Sequence, residues 1–293
     1  MYTIKRAAEL TGVAVATLRA WERRYGIGTP SRTNSGYRLY DEQAISDINA
    51  MQHLITQGWA ARQAAAEVAN RRGQVRDAYA MPSADLEQEL LQLRSRILEA
   101  ARAMNEVELT HALDQMFSKA SFEYVVDHWL TPLMSDVGEE WLSGRLDIAA
   151  EHFVSNAVMR RLGAAFEGAP LPPRGPMVLV GLPARSYHEI GALSFATAAR
   201  RIGLGALYLG ADVPHDAWLK AVDAHAASAV VLSVVVPDNV GNTQKIVDAL
   251  GPGHPELVIA VGGRLNNEIT GAVLHFEAGV GPSAAKLAQR LMG

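Results

Sequence analysis

"MVLVGLPARSYHEIGAL", residues 177–193, passes from an apolar run into the start of a helix. The run at 177–182 has the length and composition of a strand buried on both faces, and "GALSFATAARRIG" (191–203) continues as a helix. Downstream, "ALYLG" (206–210), "AVVLSVVV" (229–236) and "LVIAVGG" (257–263) repeat the apolar run, with helical stretches such as "HDAWLKAVDAHA" (215–226) between them. A fifth short strand is expected near His275–Phe276, before a closing helix in "GPSAAKLAQRLMG" (281–293). Strands alternating with helices predict a parallel sheet covered on both faces, in a doubly wound, flavodoxin-like (Rossmann-type) domain.

Such sheets bind ligands beyond the carboxyl ends of their strands, where the strand order reverses. That rule gathers residues far apart in sequence. His188 follows the first strand, Ser233 and Val235 end the third, and Gly262 and Gly263 follow the fourth. The glycine pair would let a bulky ligand approach the backbone closely. A histidine at a helix start either caps the helix or ligates a metal, and the residues alone leave both readings open. The Gly-x-Gly of "GLGALYLG" (203–210) has Tyr208 where a dinucleotide fingerprint needs glycine, so it reads as a turn.

Upstream the periodicity is helical. "DLEQELLQLRSRILEA" (85–100) spaces Leu86, Leu90, Leu93 and Ile97 by three and four residues. Asn105 opens a second helix with Val107, Leu109 and Leu113 on its apolar face. Ser121 opens a third that ends near Gly144, and Asp147 caps a fourth. Four helices with short connections predict a bundle. Trp129 and Trp218 read as core, as does Trp59 further upstream.

The first residues differ again. "AAELTGVAVATLRAWERRYG" (7–26) has the spacing of a helix-turn-helix, with Leu10, Val13, Leu18 and Trp21 facing inward and Gly12 at the turn. Thr17, Arg19, Arg23, Arg24 and Tyr25 lie along the second helix. "GIGTPSRTNSGYRLYDEQ" (26–43) reads as a small hairpin, with Arg32, Tyr37 and Arg38 available to grip phosphate, and Asp41 caps a helix running to about Gln57. The expected domains are 1–75, 83–168 and 174–293, the last two joined by the proline-rich "APLPPRGP" (169–176).

Charge follows the same division. Residues 1–73 carry ten of the 27 Lys/Arg but six of the 31 Asp/Glu, which leaves them at +4 in a chain whose net charge is −4. A basic module on an acidic body fits one polyanion-binding end. The absence of cysteine excludes disulfides, iron–sulfur clusters and thiolate zinc sites, and fits a reducing cytoplasm. With no apolar signal core and no apolar run near the length of a membrane span, a soluble, unexported protein is expected.

Three resemblances sharpen these expectations. "TLRAWERRYG…PSRTNSGYRLY" resembles the MerR-type winged helix-turn-helix, most of all its light- and cobalamin-responsive members. This implies binding of double-stranded promoter DNA through Thr17, Arg19, Arg23, Arg24, Tyr25, Arg32, Tyr37 and Arg38. "SYHEIG…LSVVV…VGG" is similar to the cobalamin-binding domain of methionine synthase and its relatives. The resemblance implies His188 as the axial cobalt ligand, Gly191 as room for the displaced nucleotide tail, and Ser233, Val235, Gly262 and Gly263 as its tunnel. Trp141, followed ten residues later by Glu151 and then His152, resembles the bundle of adenosylcobalamin photoreceptors of the CarH and LitR type. There the three residues cover the upper corrin face and contact the adenosyl group, which favours adenosylcobalamin (coenzyme B12) over methylcobalamin.

The function so implied is a light-responsive regulator, in the repressor role, without enzymatic activity. It would be a homo-oligomer, dimer or tetramer, in the dark and would release DNA on photolysis of the Co–C bond. The alternative is a MerR-type regulator whose sensor binds another tetrapyrrole or a protein partner. Two positions depart from the pattern. Ser186 stands where the family places an acid behind the ligating histidine, and Leu142 where some members carry a second histidine.

Overall fold

A computed structural model of the chain describes residues 1–32, 38–56, 60–62, 64, 65, 68, 69, 84–169, 172, 175–277 and 279–292. Tyr37, Trp59 and the expected boundaries at 75, 83 and 174 lie outside the described residues. The chain divides into two compact units, Met1–Arg76 with Lys286–Gly293, and Asp77–Ala285.

The first unit opens with strand β1 (Tyr2–Thr3), α1 (Ile4–Thr11) and α2 (Val15–Tyr25). Strands β2 (Ser31–Arg32) and β3 (Arg38–Tyr40) and helix α3 (Glu42–Thr56) follow. Gly12 ends α1 in the left-handed region at φ 65°, a conformation that costs glycine little, and this turns the chain into α2. Thr11 steadies the turn: its hydroxyl donates to the Ala7 carbonyl and accepts from the Val13 N–H. The strands form an antiparallel sheet in the order β1-β3-β2. Val13, Leu18, Trp21, Tyr40, Ile48 and Met51 fill the core beneath it. Leu10 departs from expectation. It is 42% exposed, because α1 is only two turns long and its inward stripe is already occupied by Ala7 and Thr11.

The second unit joins a helical bundle to a sheet. Helices α4 (Ala84–Arg102) and α5 (Glu106–Lys119) come first. A long third helix is built from α6 (Phe122–Val125), a π turn (Val126–Leu130) and α7 (Thr131–Leu142), and α8 (Ile148–Gly168) is the fourth. Asn105, Ser121 and Asp147 cap their helices by accepting the N–H of Glu108, Tyr124 and Ala150. Leu90, Leu93, Ile97, Leu109, Leu113 and Met116 are buried, as their spacing predicts, but Val107 is 81% exposed. It sits in the first turn of α5, before that helix's apolar stripe enters the bundle. The π turn precedes Pro132, which has no N–H to return to the helix ladder.

The sheet strands are β4 (Met177–Pro183), β5 (Gly205–Val213), β6 (Ala229–Ser233), β7 (Val258–Gly262) and β8 (Val273–His275). The last ends one residue short of the expected Phe276, whose ring turns to stack on Phe195 at 5.2 Å. All pairings are parallel in the order β5-β4-β6-β7-β8, so the strand order reverses beside β4. Helices α9 (Ile190–Arg201), α10 (His215–His225), α11 (Val240–Gly253) and α12 (Val280–Met292) complete the domain. Trp218 is fully buried against the sheet and Trp129 nearly so within the bundle. No helix among the described residues is long and apolar enough to cross a membrane.

Polar groups fasten the bundle to the sheet. Asp127, projecting from the π turn, accepts the Val280 N–H at 2.7 Å and the Gly281 N–H at 3.2 Å, and so caps α12. Burial pushes its carboxyl pKa up, and the two N–H donors pull the other way. A side chain at Gly279 would overlap that carboxylate. Glu123, 3% exposed, pairs with Arg201 at 2.6 Å. The Arg200 guanidinium lies 3.6 Å over the Phe166 ring and donates to the Phe166 carbonyl at 3.1 Å. Replacing Asp127 with alanine strands two helix N–H groups, so Asp127→Ala is expected to cost about 1–3 kcal/mol, read as a lowered denaturant midpoint at unchanged slope.

Candidate functional site

The segment that leads from β4 into α9 is fixed from both neighbours. Arg185 adopts φ 64° and Asp212, at the end of β5, φ 54°, both unusual for residues with a side chain. The two are paired: the Arg185 N–H donates to the Asp212 carboxylate at 2.7 Å, and the Asp212 N–H donates to the Ser186 carbonyl at 3.1 Å. From the other side, Asn239 Nδ2 donates to the Arg185 carbonyl at 3.1 Å and Asn242 Nδ2 to the Ala184 carbonyl at 3.0 Å. Glu189 is tied to β5 by the Tyr208 hydroxyl at 2.8 Å, and burial followed by this bond raises the Tyr208 pKa. His188 stands exposed between these anchored residues, beside an exposed Tyr187.

Sequence reasoning missed Asp212, Asn239 and Asn242. A signal was present: asparagines at the start of α11 face the β4 loop once β4 and β6 are recognised as neighbours.

The other expected sheet-edge residues gather as the topology requires. Ser233 pairs in register with Gly262 at the ends of β6 and β7, of which β6 lies next to β4. Val234 donates its N–H to the Gly262 carbonyl at 2.8 Å, and Val235 accepts Arg264 Nε through its carbonyl. The three glycines divide by role. Gly263 has φ 91°, and any side chain there would strike the Val234 carbonyl, so the fold itself demands glycine. At Gly191 a side chain would meet nothing within 4 Å, and at Gly262 only the Phe276 ring in ordinary contact. The chain leaves this space unfilled.

On the bundle, Trp141 ends α7 with 43% of its surface exposed, in contrast to the buried Trp129 and Trp218. Leu142 and Ile148 beside it are also exposed. Large apolar side chains left in water are unusual enough on a folded surface to mark this end of the bundle as a candidate binding surface. Glu151 joins His152 Nδ1 at 2.6 Å through one oxygen and accepts the Ser155 hydroxyl through the other. These residues lie on α7 and α8, and α8 packs on α9, the helix that His188 leads into. Among the described residues no hydrogen bond joins Trp141, Glu151 or His152 directly to the 184–189 segment. No group of three or more His, Asp or Glu side chains among the described residues could hold a metal ion.

In the first unit Arg19, Arg23 and Arg24 are exposed along α2, with Thr17 half-buried among them. Arg23 and Arg24 also complement the negative end of that helix. Tyr25 packs partly on the core. Arg38 is not free as the sequence implied, since its Nε donates to Glu22 at 3.0 Å. The Arg32 side chain lies outside what is described.

These features describe a helix-turn-helix unit and a helical bundle followed by a doubly wound parallel sheet. Comparison with known proteins agrees. Residues 2–67 match the MerR HTH family of regulatory proteins, while 93–165 and 177–275 match two B12 binding domains. The chain is 35% identical to the HTH-type transcriptional repressor CarH of Myxococcus xanthus, over 89% of this chain and 88% of that protein. It is 31% identical to the repressor CarA of the same organism, over 79% and 76%. The chain belongs to this family of MerR-type regulators with B12-binding domains. A monomethylamine corrinoid protein of Methanosarcina barkeri shares the fold of the second unit, with TM-score 0.55 and 16% identity over 69% of this chain and 98% of that one.

Because Gly263 is demanded by a positive φ and a backbone contact, Gly263→Ala is expected to destabilise the protein by about 1–3 kcal/mol. Gly191→Ala meets no neighbour and lies within α9, so it is expected to stabilise the cofactor-free protein by about 0.4–1 kcal/mol, a contrast that calorimetry on the pair would read.

Proposed function

We propose that this chain is an adenosylcobalamin-dependent, light-responsive transcriptional repressor that acts in the cytoplasm without catalytic turnover. The observation that carries the reading is the exposed His188, held on a doubly anchored segment at the point where strand order reverses. It stands beside glycine positions that the chain's own packing leaves open. The residues fit a corrin. His188 would ligate cobalt from below, and the nucleotide tail would pass Gly191, Ser233, Val235 and Gly262. The Trp141 indole would cover the upper face while Glu151 and His152 bond ribose hydroxyls, giving up the bond they now share.

Adenosylcobalamin supplies a cobalt–carbon bond that light cleaves. The chain's own part is to convert occupancy of the upper face into assembly. With Trp141, Glu151 and His152 engaged, the bundle is held in one arrangement that favours a dimer or tetramer. With the adenosyl group gone, those contacts are lost and the bundle is free to shift. Paired winged helices bind repeated half-sites far better than single ones, because the second contact forms at high effective concentration. Loss of assembly therefore releases DNA. Two relatives, CarH and CarA, are transcriptional repressors, which supports a repressive sign for this chain.

Purified protein mixed with adenosylcobalamin in darkness is expected to retain the corrin through gel filtration. Its spectrum and its assembly size should both change on illumination. If no corrin is retained, the reading fails in favour of another tetrapyrrole or a protein partner. On DNA, Arg19→Ala and Arg23→Ala are each expected to reduce the slope of log affinity against log salt by about 1, as for loss of one phosphate contact. An unchanged slope would remove α2 from the DNA interface.

A further inference from the structure

Arg38 differs from the arginines of α2 in its surroundings. Arg19, Arg23 and Arg24 are exposed along that helix. The Arg38 side chain is 30% exposed and that of Glu22 18%, with Arg38 Nε donating to Glu22 Oε2 at 3.0 Å. The pair crosses between elements, since Glu22 is on α2 and Arg38 opens β3, the middle strand of the sheet β1-β3-β2. In the sheet register Arg38 lies directly opposite Arg32 of β2, a like-charge pairing that weakens a sheet unless one charge is offset. Tyr40, at the other end of β3, senses the same group of charges. Burial first and then Glu22 push its pKa up, while Arg38 and Arg19 pull it down.

A carboxylate among the arginines of a DNA-binding helix repels phosphate unless a cation holds it. We infer that Glu22 and Arg38 are positioning residues: their ion pair fastens β3 to α2, so that helix and sheet meet DNA as one body, and Arg38 neutralises no phosphate. This inference rests on the DNA-binding reading and gives Arg38 a different part in it from Arg19 and Arg23. The strand is then held at both ends, by Tyr40 in the core and by Arg38 at the edge of α2. Because β3 pairs with both β1 and β2, what fixes it fixes the whole sheet. A half-buried pair is screened by salt less than contacts between exposed arginines and phosphate. It therefore persists where those contacts weaken, and the order it imposes before binding reduces the entropy lost on DNA.

The test uses the full chain and a fluorescein-labelled duplex that the wild type has selected from a random-sequence library, with affinity read by anisotropy across a range of salt. Arg38→Gln is expected to weaken binding about two- to tenfold and to leave the slope of log affinity against log salt unchanged, unlike Arg19→Ala. Glu22→Gln is expected to weaken binding by a similar factor, and the double variant no more than either single one, as for two residues acting through one contact. Circular dichroism establishes that each variant is folded at the assay temperature. Where Arg38→Gln is not, Glu22→Asp keeps the charge but shortens the reach, and is expected to lose affinity at unchanged slope. A slope smaller by about 1 in Arg38→Gln would make Arg38 a phosphate contact and overturn the tie while the DNA-binding reading stands. Tighter binding by Glu22→Gln, unchanged binding by Glu22→Asp, or losses that multiply in the double variant would also overturn it. If the wild type selects no duplex, the DNA-binding reading falls and the tie with it.

Discussion

The position of His188 depends on a short stretch of backbone, residues 184–186, whose three carbonyls and the N–H groups of Arg185 and Ser186 are held by hydrogen bonds. Asp212 from β5 and Asn239 and Asn242 from the start of α11 hold it at both edges of the switch point. Two residues with side chains accept positive φ to make this possible, a local cost of about 1–3 kcal/mol each that the surrounding hydrogen bonds must offset. A loop free to relax would not sustain such conformations. The result is a ligand-bearing segment ordered before any ligand arrives, which reduces the entropy lost on binding.

Against this fixed lower half, the bundle offers a surface of a different kind. Trp141, Leu142 and Ile148 are exposed at one end, while the opposite character prevails where the bundle meets the sheet. There the buried Glu123 pairs with Arg201 through one oxygen, and the half-buried Asp127 caps the start of α12. Breaking either contact leaves a buried or half-buried charge without a partner, which is far more costly than uncovering an indole that is already half in water. In the proposed regulator the attachment of Asp127 and Glu123 therefore acts as the pivot, and the Trp141 end as the part that responds to the cofactor.

Much of this architecture could be read from residue order. Four apolar runs, their helical spacers and the rule for doubly wound sheets suffice to locate His188, Ser233 and the glycine pair on one edge. Three kinds of detail could not be read in that way. Val107 and Leu10 carry apolar side chains at helical spacing yet face solvent, because periodicity marks a stripe but not where a short helix enters or leaves the core. Asp212, Asn239 and Asn242 act through backbone groups distant in sequence, and such pairings follow from strand adjacency rather than from motif. The charge of Arg38 is visible in the sequence, whereas its pairing with Glu22, on another element, is not. Residue chemistry thus located the site, and tertiary hydrogen bonding decided which of its groups are free.

The central claim is that the His188 imidazole, and no base carried by the cofactor, sits on cobalt. Electron paramagnetic resonance of the protein loaded with cob(II)alamin tests it most directly when the histidines are labelled with nitrogen-15. Ligation by His188 predicts that the superhyperfine pattern changes from triplets to doublets on labelling, and that His188→Ala abolishes the doublets. Triplets that persist in the fully labelled wild-type protein would show the cofactor's own base still bound to cobalt and would contradict the account.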